Sequence, residues 1–227
     1  FIFDTILLAP KDSDFLTSRL FCILSQNLAL GDYLCLKQSP FSLINISMSG
    51  QFSTHITTSI FAGFIVAFPY IFWEIWSFIR PALYDKETQA IKGVVFFSSL
   101  LFMVGILFGY YLVSPISINF LGSYSVSETI SNQITLTSFI TTVTTVTLAN
   151  GIIFELPVLV YFLTKSGLLT PEFMRVYRKH ALILTLVLSA IITPPDITSQ
   201  ILVALPLVVL YELSIKISVR TIKKNKI

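Results

Sequence analysis

The chain has 227 residues, of which 54% are apolar and only 12% charged, with a formal net charge of +3. Soluble domains carry roughly twice that share of charge, and one soluble core of this size could not hide so much apolar surface; a bilayer can. The 20 phenylalanines suit lipid-facing surface, and the lack of a basic stripe interleaved with aromatics argues against a nucleic-acid partner.

Residues 1–52 are mixed. Short apolar pieces are broken by Pro10, Lys11, Asp12, Asp14, Asn27, Gly31, Asp32, Pro40 and Gly50, and none is long enough to cross a bilayer. This predicts an extramembrane segment of short helices and turns over 1–52, ahead of a membrane domain over 53–227. Ile56–Ile79 then carries one charge, Glu74, Gly93–Val113 carries none, and Leu136–Leu163 carries only Glu155. Each holds about 20 residues or more, enough for ~30 Å of hydrocarbon. Ala181–Thr193 and Ile197–Tyr211 are shorter, ~20–22 Å as helices, and are divided by Pro194-Pro195-Asp196. They read either as a re-entrant hairpin or as a pair of short spans that thin the bilayer. The expected fold is an all-α polytopic membrane protein with five spans, the last two short.

Basic residues sort to one side. Arg80, Lys86 and Lys92 follow the first span; Lys165, Arg175, Arg178 and Lys179 follow the third; Lys216, Arg220, Lys223, Lys224 and Lys226 form the tail. Twelve of the 15 basic residues thus share a face, leaving Lys11, Arg19 and Lys37 opposite. The positive-inside rule then makes the C-terminus cytoplasmic and puts residues 1–52 outside. A further helix ahead of Phe1, six in the full protein, is expected to carry that segment across. Cys22 and Cys35 both fall outside, where oxidation makes them a disulfide candidate.

The motifs of catalysis are missing. There is no phosphate-cradling G-x-x-x-x-G-K-[ST], no H-E-x-x-H and no G-x-S-x-G, so neither an enzyme nor a cofactor or metal is expected. Gly105 and Gly109 form a G-x-x-x-G that argues for close helix packing. Glu155 lies ~12–15 Å inside its span, at a depth where a carboxylate needs a partner, water or a proton; Pro157 frees a backbone carbonyl nearby. It reads as a polar site for a partner helix or hydrated groove, or as helix packing. Asp196 is placed to cap the last helix, and Glu212 to pair with Lys216 on its own helix. Glu87, by itself, is an ordinary loop charge.

Together the motifs resemble a known family. Phe68-Pro69-Tyr70-Ile71-Phe72-Trp73-Glu74-Ile75-Trp76-Ser77-Phe78-Ile79-Arg80-Pro81-Ala82-Leu83-Tyr84, followed by Glu87, is similar to the signature of TatC, the large subunit of the twin-arginine protein translocase. Phe154-Glu155-Leu156-Pro157, Leu169-Thr170-Pro171-Glu172, Thr193-Pro194-Pro195-Asp196 with Ser199-Gln200, and Ala204-Leu205-Pro206 follow in that family's order. The resemblance implies a receptor in the cytoplasmic membrane for twin-arginine signal peptides. It implies an oligomeric complex with single-span TatA/TatB-type partners, and export of folded proteins driven by the proton-motive force. It implies signal-peptide contacts at Glu87, Phe78, Trp76, Pro81 and Leu83. It also implies partner or translocation roles for Glu155, Pro157, Asp196 and Gln200. Position 74 departs from the family, which usually has Gln there. The alternative is a secondary transporter using Glu155 as a proton or cation site; a third reading is a purely structural assembly scaffold.

Overall fold

The computed structural model describes residues 7–11, 15–27, 42–79, 91–125, 127 and 132–225. Its first long helix, here α2 (Gly50–Ile79), begins before the apolar stretch does. The polar residues of its first turns are absorbed by the helix itself: the hydroxyls of Thr54, Thr57 and Ser59 donate to the carbonyls of Gly50, Ser53 and His55. Ahead of it lie a 3₁₀ turn at Ala9–Lys11, the helix α1 (Leu16–Asn27) and a strand, β1 (Ser42–Ile44).

The second expected span is longer than its apolar run. The helix α3 (Ile91–Phe108) passes through a π-helical turn at Gly109–Val113 into α4 (Ser114–Ser123). Pro115 lies in the first turn of α4, where a proline costs little. The wider turn absorbs it: the carbonyl of Gly109 accepts from both the backbone N–H and the hydroxyl of Ser114. The carbonyl of Tyr111, four residues before the proline and without a helical donor, accepts instead from the Thr17 hydroxyl of α1.

A second strand, β2 (Gln133–Thr135), pairs in parallel with β1, Leu43 opposite Ile134. Apart from this small sheet the described elements are helical, as the all-α expectation has it. The two strands lead directly into α2 and into α5 (Leu136–Ile153), so these two helices start at the same end of the bundle, with the Thr54 and Thr137 hydroxyls 3.5 Å apart. From there α5 runs to α6 (Leu156–Lys165), and Gly167, at φ 74°, closes α6 in the left-handed conformation that glycine adopts without penalty. Thr170 then caps the short α7 (Pro171–Val176) by accepting from Phe173 N–H.

The end of the chain departs from expectation. The helix α8 (Arg178–Ile192) has 15 residues, whereas α9 (Ile197–Asn225) has 29. The apolar run stops at Tyr211, but the charged residues beyond it, Glu, Lys and Arg, are good helix formers, and the hydroxyls of Ser214, Ser218 and Thr221 find partners inside the bundle or along the helix. Among the described residues four helical stretches are long and apolar enough to cross a membrane: Gly50–Phe78, Gly93–Ser123, Leu136–Lys165 and Ile197–Ile222. The count of five spans with two short final helices is therefore not what these lengths give.

Close packing sets the bundle's centre. A Cβ on Gly105 would sit 2.7 Å from the Asn150 carbonyl oxygen and 2.9 Å from the Gly151 Cα, and one on Gly109 would sit 2.9 Å from the Thr147 Cα. The G-x-x-x-G thus brings α3 against α5 backbone to backbone. Phe68 of α2 stacks on Phe102 of α3 at 3.5 Å, and Val203 and Leu207 of α9 pack with Val113 and Val146.

Candidate functional site: a carboxylate at a helix break

The third stretch is interrupted where its carboxylate lies. Phe154 and Glu155 form a turn between α5 and α6. Pro157, having no N–H, leaves the Ile153 carbonyl without its helical donor, while the Glu155 carbonyl accepts from both Val158 and Leu159, each at 3.0 Å. The break swings the Glu155 side chain toward α3, where its Oε2 accepts from the Ser98 hydroxyl at 2.8 Å. Its Oε1 is buried and has no hydrogen-bond partner among the described residues. An ionised carboxylate offers about four acceptor positions, so one hydroxyl leaves it under-satisfied, a costly state at membrane depth.

Ser98 escaped the sequence reading because a lone serine in an uncharged span carries no signal of its own. Spacing could have found it. It lies seven residues before Gly105, two helical turns along the face that the glycines press against α5. The same contact that lets the backbones meet therefore delivers Ser98 to Glu155.

Of the residues expected to touch a signal peptide, two lie among the described residues. Trp76 is buried, with its ring 4.1 Å from that of Phe162 on α6, and its indole N–H has no partner among the described residues. Phe78, two residues on, is 86% exposed. Pro81, Leu83 and Glu87 lie outside the described residues, as does Cys35; Cys22 is on α1, half-buried. Glu74 is exposed on α2 and takes no part in the Glu155 site.

Asp196 and Gln200 lie at the other end of the bundle. Asp196 Oδ1 accepts from Ser199 N–H at 2.5 Å, capping α9 as expected, and its buried Oδ2 is unpartnered. Gln200 Nε2 donates to the Leu186 carbonyl at 3.2 Å and ties the start of α9 to α8. Reckoned from the cluster that holds Val146 and Val203, Asp196 and Glu155 are roughly 24 Å apart along the bundle, so they belong to separate sites. Glu212 reaches not along its own helix but across to α8, accepting from Arg178 at 3.0 Å.

The family model described as Sec-independent protein translocase protein (TatC) matches residues 2–206. The chain belongs to the TatC family. It is 39% identical over 225 residues to the Sec-independent protein translocase protein TatC of Blattabacterium sp. subsp. Periplaneta americana, covering 99% of this chain and 85% of that protein. It is 41% identical over 177 residues to its Helicobacter pylori counterpart, covering 78% and 70%. Among solved structures, the crystal structure of the Twin Arginine Translocase Receptor TatC superposes with a TM-score of 0.68, at 32% identity and 91% coverage of both chains. This TatC-family chain is accordingly a membrane-embedded component of a protein translocase and not an enzyme. The secondary-transporter alternative finds no support in these relatives.

Proposed function

We propose that this chain is the signal-peptide receptor of its translocase, binding twin-arginine signal peptides for export of folded proteins driven by the proton-motive force. The observation that carries the reading is the match, over 91% of both chains, to a structure described as the twin-arginine translocase receptor. The chemistry fits. Paired guanidiniums need carboxylates in planar, charge-assisted geometry, which Glu87 offers in the loop after α2. The exposed ring of Phe78 offers an apolar contact to the peptide, a role extended to Trp76, Pro81 and Leu83. At Glu155, next to Pro157, the unpartnered Oε1 suits a donor from a TatA/TatB-type single-span helix; Asp196 and Gln200 serve the same partners at the opposite end.

In this reading the protein sits in the cytoplasmic membrane with its C-terminus cytoplasmic, and α8 makes a short fifth crossing that thins the bilayer. Residues 1–52 form the outer segment and 53–227 the membrane domain. The clustering of Lys165, Arg175, Arg178, Lys179, Lys216 and Arg220 around the α6–α7 turn and the tail supports that orientation. The test is Glu87→Ala, scored by crosslinking to a twin-arginine signal peptide and by export of a folded reporter. Loss of a charged hydrogen bond worth about 1.5–3 kcal/mol predicts roughly 10–100-fold weaker binding. Crosslinking and export at the unsubstituted level contradict the role given to Glu87.

A further inference from the structure

The helix α2 is held to the bundle unevenly. Of the four long stretches among the described residues it is the least enclosed: 11% of its apolar window is buried, against 33%, 44% and 39% in the others. Up to Phe68 it is fixed, because Phe68 is buried and stacks on Phe102. Pro69 follows, inside the helix. It has no N–H for the Ile65 carbonyl, which makes this the place where α2 bends most easily. Beyond it, Phe72 packs partly on the same cluster. Over residues 73–78 one side chain is buried, that of Trp76; Trp73, Glu74, Ile75, Ser77 and Phe78 are all exposed.

Trp76 is therefore the anchor of the last turns of α2. Its ring lies 4.1 Å from that of Phe162, and Phe162 belongs to a fixed helix. The Thr164 and Ser218 hydroxyls, 2.8 Å apart, tie α6 to α9, and Val160 packs with Ile215. The anchor also carries a cost, since the indole N–H is buried without a partner among the described residues. At 4% exposure Trp76 is out of reach of an arriving peptide, yet the receptor role assigns it a contact with that peptide.

Resting on the receptor role proposed above, we infer that residues 70–79 form a hinged arm, pivoting at Pro69 and latched to α6 by Trp76, which opens when a signal peptide binds. A ligand shifts such an equilibrium only by what it gains in the open state. Here the gain is contact between the apolar part of the signal peptide and two rings, Trp76 and Phe162, that the closed arm holds against each other. Opening also frees the indole N–H to find an acceptor. Glu87 follows the arm by eight residues, so arginines held there bring the apolar part of the peptide to the arm.

The latch is tested first without peptide. The chain holds two tryptophans, so the purified Trp73→Phe protein reports on Trp76 alone by its own fluorescence. Phe162→Leu in that background keeps an apolar side chain but removes the ring contact. It is expected to raise the open population about 2–13-fold, read as stronger quenching by acrylamide. Trp76 no more quenched in Phe162→Leu than in the parent overturns the latch. The opening is then tested with a synthetic twin-arginine signal peptide carrying benzoyl-phenylalanine in its apolar part, crosslinked to the purified chain and mapped by mass spectrometry. Crosslinks are expected at Trp76 and Phe162 as well as at the exposed Phe78. Pro69→Ala, which restores the helical hydrogen bond and stiffens the hinge, is expected to lower those at Trp76 and Phe162 at least ~5-fold and to leave those at Phe78 in place. Crosslinks confined to exposed positions such as Phe78 and Trp73, or unchanged by Pro69→Ala, overturn the arm. No crosslink anywhere on the chain is instead a failure of the receptor role and removes peptide-driven opening with it, while the Phe162→Leu fluorescence still decides the latch.

Discussion

Gly105→Ala and Gly63→Ala are the same chemical change with opposite expected signs. At Gly105 the new methyl meets the Asn150 carbonyl oxygen at 2.7 Å, the Phe154 Cβ at 2.8 Å and the Gly151 Cα at 2.9 Å. None of these is the free end of a flexible side chain, so α3 and α5 must separate by several tenths of an ångström. Overpacking of this kind costs about 1–3 kcal/mol, against a helix-propensity gain of about 1 kcal/mol for replacing glycine. At Gly63 nothing lies within 4 Å of the added atom, and only the gain remains. The gain is common to both, so the two variants differ by the overpacking cost, roughly 1–3 kcal/mol, or about 2–12 °C in melting temperature for a chain of this size. Thermal unfolding in one detergent, followed by circular dichroism, reads the difference directly. Moving α3 also shifts Ser98 from Glu155, so export of a folded reporter is expected to fall in Gly105→Ala and not in Gly63→Ala. A Gly105→Ala protein that melts at or above the Gly63→Ala protein refutes the claim that this glycine face sets the α3–α5 distance.

Asp196→Ala removes the cap from α9 and is expected to cost about 1 kcal/mol in the same melt, whereas Asp196→Asn keeps an acceptor for Ser199 N–H and costs only tenths; equal losses in both variants mean the charge, not the cap, matters. Glu212→Gln breaks a half-exposed pair with Arg178 and is expected to lower stability by less than 1 kcal/mol, an effect that fades in high salt. The proposed Cys22–Cys35 bridge predicts no mass increase on alkylation of the unfolded protein without reductant and two adducts after reduction; adducts before reduction show free thiols.

The parts of this molecule visible in the sequence are those that depend on the solvent around each segment. Long apolar runs, the sorting of basic residues, and a carboxylate stranded at Glu155 all follow from the free energy of placing a side chain in hydrocarbon or water, which needs no knowledge of neighbours. The Asp196 cap was likewise legible because its hydrogen bond closes within three residues. Helix ends were less so. The continuation of α2 back to Gly50 and of α9 to Asn225 rests on hydroxyls that bond inside the helix or the bundle, and the passage through Pro115 rests on a π-helical turn. The pairing of β1 with β2, roughly ninety residues apart in the chain, has no local signature at all.

Tertiary structure alone decided which polar groups meet. Glu155 was conspicuous from its letter and depth, but only the backbone contact at Gly105 and Gly151 delivers Ser98 to one of its oxygens and buries the other. Trp76 and Phe78 are two residues apart in one motif, yet the helix turns the first into the bundle and the second away from it. Thr58 and Thr147 look like any other membrane threonines until the packing of the helices buries their hydroxyls without a partner among the described residues. The physical reason is range: burial in a bilayer is a property of each residue in its own segment, whereas a hydrogen bond between helices exists only once both backbones are fixed within a few ångströms.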